Sequence, residues 1–169
     1  IMNMCLVTEE LSKACGGISL AFAGSALGTL PIMIAGDDEQ KKRWLPKVAS
    51  GTLAAFGITE SDAGSDAASM RTTAVKDGDD YIINGSKMFI TNGGEAEIYS
   101  VFAMTDQNKV SRGASCFALE KGMDGFTFGK KDDKIGIRTT ATRGLIFQDC
   151  RAPASNRLRR AGTGFKSAI

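Results

Sequence analysis

The 169 residues suit one domain or two small ones, and 43% hydrophobic with 24% charged residues is an ordinary globular composition. A formal net charge of +2 is too small for the basic surface of a nucleic-acid-binding protein, so we expect no nucleic-acid partner. The absence of histidine excludes a Ser-His-Asp triad, a Cys-His dyad and a histidine-ligated metal within this sequence.

Helices are predicted for residues 1 to about 51, where apolar side chains recur near helical spacing. Asp37 followed by Gln40 three positions later is a capping box, which predicts that a helix begins there. Pro46 is well placed to begin a further short helix, and Gly51 would end it.

The longest uncharged stretch runs over residues 14–36, which is long enough to raise the possibility of a membrane span. Pro31, five glycines and three hydroxyl side chains oppose that interpretation, and we predict a buried helix of a soluble protein instead. The four cysteines lack a CxxC spacing and are predicted to be small buried thiols in a reducing compartment.

Strands are predicted from about residue 53, where short β-branched and aromatic runs alternate with turn residues. Asn84-Gly85 between two apolar runs predicts a hairpin turn. Residues 150–164 are polar and are predicted to form an exit loop. Seven or eight strands at this spacing indicate a closed or sandwiched antiparallel sheet, and the other candidates are 54–59, 69–76, 98–104, 115–120, 126–130 and 143–149.

The segment FGITESDAGSDAA (56–68) suggests a binding loop. A strand ending in Thr59 presents a hydroxyl at its tip, and the backbone N–H groups around Gly64, with the Ser65 hydroxyl, suit a phosphate oxygen. Phe56 and Ile58 could lie against a flat ring. A polar turn capped by Asp and Ser side chains is the alternative, because a lone glycine loop is weak evidence of binding.

A second segment repeats this arrangement. Phe89, Ile90 and Thr91 form an aromatic, a branched apolar and a hydroxyl position before the turn at 92–94. Two strand ends of this kind could enclose one planar heterocycle. Two ordinary hairpin ends remain the alternative.

Taken in order, the motifs of this chain resemble those of the acyl-CoA dehydrogenase family, flavoproteins that oxidise the Cα–Cβ bond of an acyl-CoA thioester. The resemblance covers essentially all 169 residues, and short-chain or butyryl-type members are the most similar. The motifs are DDEQKKRWLPKVASG (37–51), FGITESDAGSD (56–66), GDDYIINGSKMFITNGG (78–94), GKKDDKIGIR (129–138) and LIFQDCRAP (145–153).

The resemblance implies an α+β fold, in which the C-terminal part of a helical domain is followed by an antiparallel β-barrel middle domain. It assigns residues 1–52 to the end of the N-terminal helical domain, 53–158 to the central β-barrel domain and 159–169 to the start of a C-terminal helical domain. The sequence is therefore expected to be an interior part of a longer protein, with Phe165–Ile169 as the first turn of another helix.

The resemblance also implies that FAD is the cofactor. Thr59 would bind the pyrimidine end of the flavin, Gly64 and Ser65 its pyrophosphate, and Thr91 its N5 atom; Ser65 would also contact the acyl-CoA. Ser61 stands where many members have proline, and the aromatic positions are phenylalanine where relatives have tyrosine or tryptophan, which does not remove flavin binding. The implied cofactor-binding set is Phe56, Ile58, Thr59, Gly64, Ser65, Phe89, Ile90 and Thr91.

The implied reaction removes the α proton with a Glu carboxylate and transfers a hydride from the β carbon to flavin N5. That Glu belongs to the C-terminal domain beyond Ile169, so no catalytic residue and no metal ligand is assigned here, and Glu60 is interpreted as a loop-structuring carboxylate. Electrons would pass to an electron-transferring flavoprotein from a homotetramer of fatty acid metabolism, in the bacterial cytoplasm or the mitochondrial matrix. An acyl-CoA oxidase, an enoyl-CoA reductase and a non-catalytic β-barrel binding module are the alternatives.

Overall fold

A computed structural model describes residues 2–159 together with Gly162 and Gly164. Its helical part comprises α1 (Met2–Ala14), α2 (Gly16–Ala35) and α3 (Asp38–Ala49). Most of the segment 159–169, which was predicted to start a further helical domain, lies outside the described residues.

The predicted capping box is present at the start of α3. The Gln40 N–H donates to the Asp37 carboxylate at 2.8 Å, and the Asp37 N–H donates to the Gln40 side-chain oxygen at 3.0 Å. The prediction of a separate helix from Pro46 is wrong, because α3 continues through this residue to Ala49. The loss of one backbone donor is tolerated because the neighbouring Trp44 is fully buried and holds this part of the helix against the sheet.

Helix α2 packs against the sheet mainly along strand β1 (Ala54–Gly57). By length and composition α2 could cross a membrane, and 39% of its most apolar window is buried inside the protein. Gly28 and Ser25 lie at the contact: the Ser100 hydroxyl donates to the Gly28 carbonyl at 2.6 Å, and the Ala54 N–H donates to the Ser25 hydroxyl at 3.3 Å. These contacts attach α2 to the sheet, and the predicted burial holds only for part of the helix, since Ile18 and Leu27 are among its exposed apolar side chains.

Eight strands form one sheet in the order β6-β7-β3-β2-β4-β5-β8, with β1 beside β4. Five of its seven pairings are antiparallel, and β4 pairs in parallel with β1 and β2. The predicted order, helices followed by a mostly antiparallel sheet, is confirmed. Within the described residues no pairing joins β6 to β8 to close a barrel. The remaining strands are β2 (Thr73–Asp77), β3 (Asp80–Thr91), β4 (Ile98–Met104), β5 (Ala114–Glu120), β6 (Phe126–Phe128), β7 (Thr142–Pro153) and β8 (Arg157–Leu158).

The predicted hairpin turn at Asn84-Gly85 is wrong, because both residues lie inside β3. The turn that joins β2 to β3 is instead the two-residue connection at 78–79, where Gly78 has a φ of +58°. Asn84 lies opposite a bulge in β7 and exchanges two hydrogen bonds with Asp149. The Asn-Gly pair therefore matches an irregularity of the neighbouring strand rather than reversing the chain.

Two further predictions need correction. The segment predicted as an exit loop from residue 150 instead completes β7 and forms β8, which pairs with β5 through Leu158 and Arg157. Burial of the cysteines holds for Cys116 and Cys150, whereas Cys5 on α1 is exposed and Cys15 is partly exposed. All four thiols are free.

Candidate functional site

A cavity of about 360 Å³ opens between α2 and the ends of β1 and β3. Its volume lies within the usual range for small-molecule sites. Six of the eight predicted binding residues line it, and they come from both predicted segments: Phe56, Ile58, Thr59, Phe89, Ile90 and Thr91. The structure thus brings together two stretches that are at least 30 positions apart in the sequence.

Thr59 lies two residues beyond the end of β1, which stops at Gly57 rather than reaching Thr59 as predicted. Its position is still tied to β3, because the Met88 N–H donates to the Thr59 carbonyl at 2.8 Å. Thr91 is the last residue of β3. Both side chains are partly exposed, and neither hydroxyl makes a hydrogen bond to another described residue. The two hydroxyls are free to bind a ligand in the cavity.

Phe89 has an unusual backbone. Its φ is +57°, and it sits where one extra residue of β3 lies between the pairings of Lys87 and Ile90 with β7. A bulge of this kind redirects a side chain, and a left-handed aromatic residue carries backbone strain. The Phe89 side chain consequently remains 66% exposed at the cavity instead of packing into the core.

The second wall of the cavity comes from α2 and was missed by the sequence analysis. Leu20, Ala23, Gly24 and Leu27 line it. A Cβ on Gly24 would lie 2.8 Å from the Thr91 methyl carbon, so a larger residue would push Thr91 aside. The spacing of 20, 23, 24 and 27 marks one face of a helix, but it does not identify what that face contacts.

Gly64 and Ser65 are not part of the cavity lining. They lie on an exposed bend directly after the turn at 61–62, which two backbone hydrogen bonds between Glu60 and Ala63 close. A Cβ on Gly64 would meet no atom within 4 Å, so the fold itself does not require glycine at this position. The open space beside Gly64 would let another molecule approach the backbone closely.

A buried ion pair lies directly behind the Thr59 segment. The Lys87 ammonium is fully buried and donates to the Glu60 carboxylate at 2.7 Å. The same carboxylate accepts hydrogen bonds from the Arg71 N–H, the Thr72 N–H and the Thr72 hydroxyl.

The Glu60 carboxylate remains ionised in this environment. Burial alone would raise the pKa of Glu60, but the hydrogen bonds from Lys87, Thr72 and Arg71 together hold that pKa below its ordinary value. Burial in turn lowers the pKa of Lys87. A saturated carboxylate with a lowered pKa is a poor proton acceptor, so Glu60 organises the loop, in agreement with its interpretation from the sequence.

Comparison with known families places most of the chain within two related domain models. The acyl-CoA dehydrogenase N-terminal domain matches residues 1–52, and the acyl-CoA dehydrogenase middle domain matches residues 55–150. The chain is 46% identical to the short-chain specific acyl-CoA dehydrogenase of Megasphaera elsdenii and 43% identical to that of Clostridium acetobutylicum. Both alignments cover 100% of this chain but only 45% of the relative, so the chain spans less than half the length of these proteins.

Solved structures show the same similarity. A chain from a structural study of the electron transferring flavoprotein of Acidaminococcus fermentans superposes with a TM-score of 0.95 at 50% identity. Butyryl-CoA dehydrogenase from M. elsdenii superposes with a TM-score of 0.92 at 47% identity. Each match covers 96% of this chain and 43% of the other. Because the middle-domain model alone spans more than half of its residues, the chain belongs to the acyl-CoA dehydrogenase family.

Proposed function

We propose that this chain is the flavin-holding part of an FAD-dependent acyl-CoA dehydrogenase. The observation that carries the proposal is the single cavity that unites both predicted segments, with two threonine hydroxyls at its edge that have no hydrogen-bond partner among the described residues. A flat ring bound there would have apolar contacts on its faces and hydroxyl donors at its rim. The exposed Phe89 side chain and the open backbone at Gly64 also fit such a ligand.

Each predicted residue has a role in this proposal. Thr59 and Thr91 bind the ring edge, and Phe56, Ile58, Phe89 and Ile90 form its apolar surroundings. Gly64 and Ser65 hold the pyrophosphate on the neighbouring turn, where Ser65 also contacts the acyl-CoA. When bound, FAD supplies the acceptor for the hydride that leaves the β carbon of the thioester.

The residues of this chain bind and orient the flavin ring, and they do not remove the α proton. Glu60 is engaged by Lys87 and Thr72, so it is unsuited to that step. We assign α-proton removal to a Glu carboxylate outside this chain. The apolar α2 wall, with Leu20 and Leu27, suits an acyl chain better than a polar substrate.

Electron transfer to an electron-transferring flavoprotein is part of the proposal, together with a homotetrameric assembly and a cytoplasmic location. The family membership and the bacterial relatives support it. An oxidase is the second candidate, because the prolyl acyl carrier protein oxidase AnaB superposes with a TM-score of 0.87 at 37% identity.

Visible flavin absorbance of the complete protein that carries this chain tests the proposal. We expect a yellow protein whose absorbance bleaches without oxygen on addition of butyryl-CoA. A colourless protein would instead support a non-catalytic binding module, and absorbance that no acyl-CoA bleaches would contradict dehydrogenation. Slow reoxidation of the reduced protein by oxygen, with fast reoxidation by electron-transferring flavoprotein, separates the dehydrogenase from the oxidase.

A further inference from the structure

The most deeply buried charge among the described residues lies next to the cavity without lining it. Lysine is rarely fully buried, yet the Lys87 side chain is 0% exposed. Its ammonium donates to the Ile58 carbonyl at 3.2 Å and to the Glu60 carboxylate at 2.7 Å. These two acceptors belong to the residues on either side of Thr59. One lysine side chain therefore holds the backbone both before and after the first threonine.

The same lysine lies on the strand that carries the second threonine. Lys87 lies on β3, four positions before Thr91, and the Phe89 bulge falls between them. Next to Lys87, the Met88 N–H adds a backbone bond to the Thr59 carbonyl. The position of Thr59 relative to Thr91 therefore depends on how β3 holds residues 58–60.

A contribution to stability alone does not explain why a charged lysine is buried at this position. Replacing a buried ion pair with apolar side chains is often neutral or stabilising, because both charges lose their hydration. Glu60 would also remain well satisfied without Lys87, since three donors from Arg71 and Thr72 would still reach it. Within the part of the chain that the structure describes, Lys87 is the one side chain that donates to the Ile58 carbonyl.

We propose that Lys87 is a positioning residue that sets the separation of Thr59 and Thr91 and thereby shapes the cavity for the flavin ring. It acts through the backbone of residues 58–60 and does not touch the ligand. This role rests on the proposed function, because the ring is the group whose binding it would tune.

The test compares two variants of the complete protein. Lys87→Met keeps the length of the side chain and removes the ammonium. Trp44→Phe is the matched control, because it also removes a hydrogen bond from a buried side chain to a carboxylate, that of the half-buried Glu120, but lies outside the cavity. For each apoprotein we would measure the FAD dissociation constant by titration, the melting temperature, and the visible circular dichroism of the bound flavin.

We expect K87M to raise the FAD dissociation constant about tenfold, which is the lower end of the effect found for residues that orient the ligands of a bound metal. The circular dichroism of the bound flavin should change as well. W44F should lower the melting temperature while leaving both flavin measurements at their wild-type values. If K87M does not fold, Lys87→Gln keeps a polar group near Glu60 on a shorter side chain that loses the bond to the Ile58 carbonyl, and it should raise the dissociation constant by a similar factor.

Wild-type flavin affinity and circular dichroism in K87M, or in Lys87→Gln where K87M does not fold, would overturn the role of Lys87. Equal flavin changes in K87M and W44F would also overturn it, because the effect would then follow general destabilisation. A wild-type protein that binds no FAD would reject the proposed function itself, before any variant is compared.

Discussion

Thr91 lies at the end of β3 and presents a hydroxyl to the cavity. Its substitution should change the rate of flavin reduction with little change in the stability of the fold. Thr91→Val keeps the shape and the strand preference of the side chain, so we expect the free energy of unfolding to change by less than about 0.5 kcal/mol. Loss of a hydrogen bond to the reduced, charged flavin should cost about 1–3 kcal/mol. Stopped-flow reduction by an acyl-CoA should accordingly slow by roughly tenfold or more.

A matched control is Thr73→Val on β2, since Thr73 lies in the same sheet but does not line the cavity. That variant should reduce at the wild-type rate. If T91V also reduced at the wild-type rate with an unchanged flavin potential, the assignment of Thr91 to N5 would be incorrect.

At Gly64, an effect of substitution on the stability of the fold can be distinguished from an effect on ligand binding. A Cβ at Gly64 would meet no protein atom, and its φ lies outside the left-handed region, so Gly64→Val should leave the melting temperature of the apoprotein nearly unchanged. A pyrophosphate close to the backbone would collide with the new side chain, and the FAD dissociation constant should rise at least about tenfold, or 1.4 kcal/mol.

Gly136→Val is the control for this substitution, because Gly136 is also an exposed loop glycine with no neighbour within 4 Å. It should bind FAD as the wild type does. Unchanged binding in G64V as well would remove Gly64 from the site.

The sequence identified six residues that line the cavity, but it did not identify the interactions that hold them in place. Thr59, Phe89 and Thr91 were assigned through the resemblance to a known family, because aromatic, branched and hydroxyl residues before a glycine turn also fit ordinary hairpin ends. The left-handed backbone of Phe89 could not be foreseen, since it arises from a mismatch in pairing between β3 and β7. Lys87 was also missed, because a lysine in a strand is normally exposed and only its tertiary partners keep it buried.

Contact between α2 and β1 fixes one wall of the cavity, and Gly28 lies at this contact. A Cβ there would lie 2.6 Å from the Ala55 backbone nitrogen, and a strand backbone cannot move aside cheaply. We expect Gly28→Ala to lower the free energy of unfolding by about 1–3 kcal/mol from overpacking, despite a gain of up to about 1 kcal/mol in helix propensity. Chemical denaturation followed by circular dichroism measures this loss.

The corresponding control in the same helix is Gly16→Ala, since a Cβ at Gly16 would meet no atom within 4 Å. This variant should be as stable as the wild type or slightly more stable. A G28A protein of wild-type stability would show that α2 and β1 can separate without cost.

Among the secondary-structure elements, those with local determinants were predicted best. The capping box of α3 is a contact between residues three apart, and its sequence specifies it almost completely. Asn84-Gly85 is the opposite case, because a hairpin turn and a residue pair facing a bulge share the same local sequence. Only the register of β3 against β7 decides between them. For the same reason the short strand β8 was predicted as loop, since its pairing partner β5 lies about 40 residues earlier.

The whole molecule depends on how the helices attach to the sheet. One wall of the cavity belongs to α2 and the other to β1 and β3, so the cavity exists only while these parts are docked. No periodicity in the sequence specifies that docking, which explains why Leu20, Ala23, Gly24 and Leu27 were not predicted as site residues. Helix α3 supplies a second attachment between the helices and the sheet. It joins Trp44 to Glu120, the last residue of β5.

At this second attachment the Trp44 indole N–H donates to the Glu120 carboxylate at 2.7 Å, and the Arg43 guanidinium lies 3.0 Å from it. Burial alone would raise the pKa of Glu120, but Trp44, Arg43 and Lys47 together lower it below its ordinary value of 4.5. A carboxyl with a lowered pKa in the folded state stabilises the fold above its unfolded pKa. That stabilisation is lost as the pH falls through the lower, folded-state value.

Trp44 is the only tryptophan in the chain, so its fluorescence reports this attachment directly. Subtracting the spectrum of W44F from that of the wild type isolates its emission in the complete protein. Below about pH 4.5 we expect this emission to change as Glu120 takes up a proton and releases the indole. In Glu120→Gln the emission should be nearly independent of pH over the same range, and the free energy of unfolding at neutral pH should fall by about 1–3 kcal/mol. An acid-dependent emission that persists unchanged in E120Q would mean that a different group controls the docking of α3, since the amide cannot titrate.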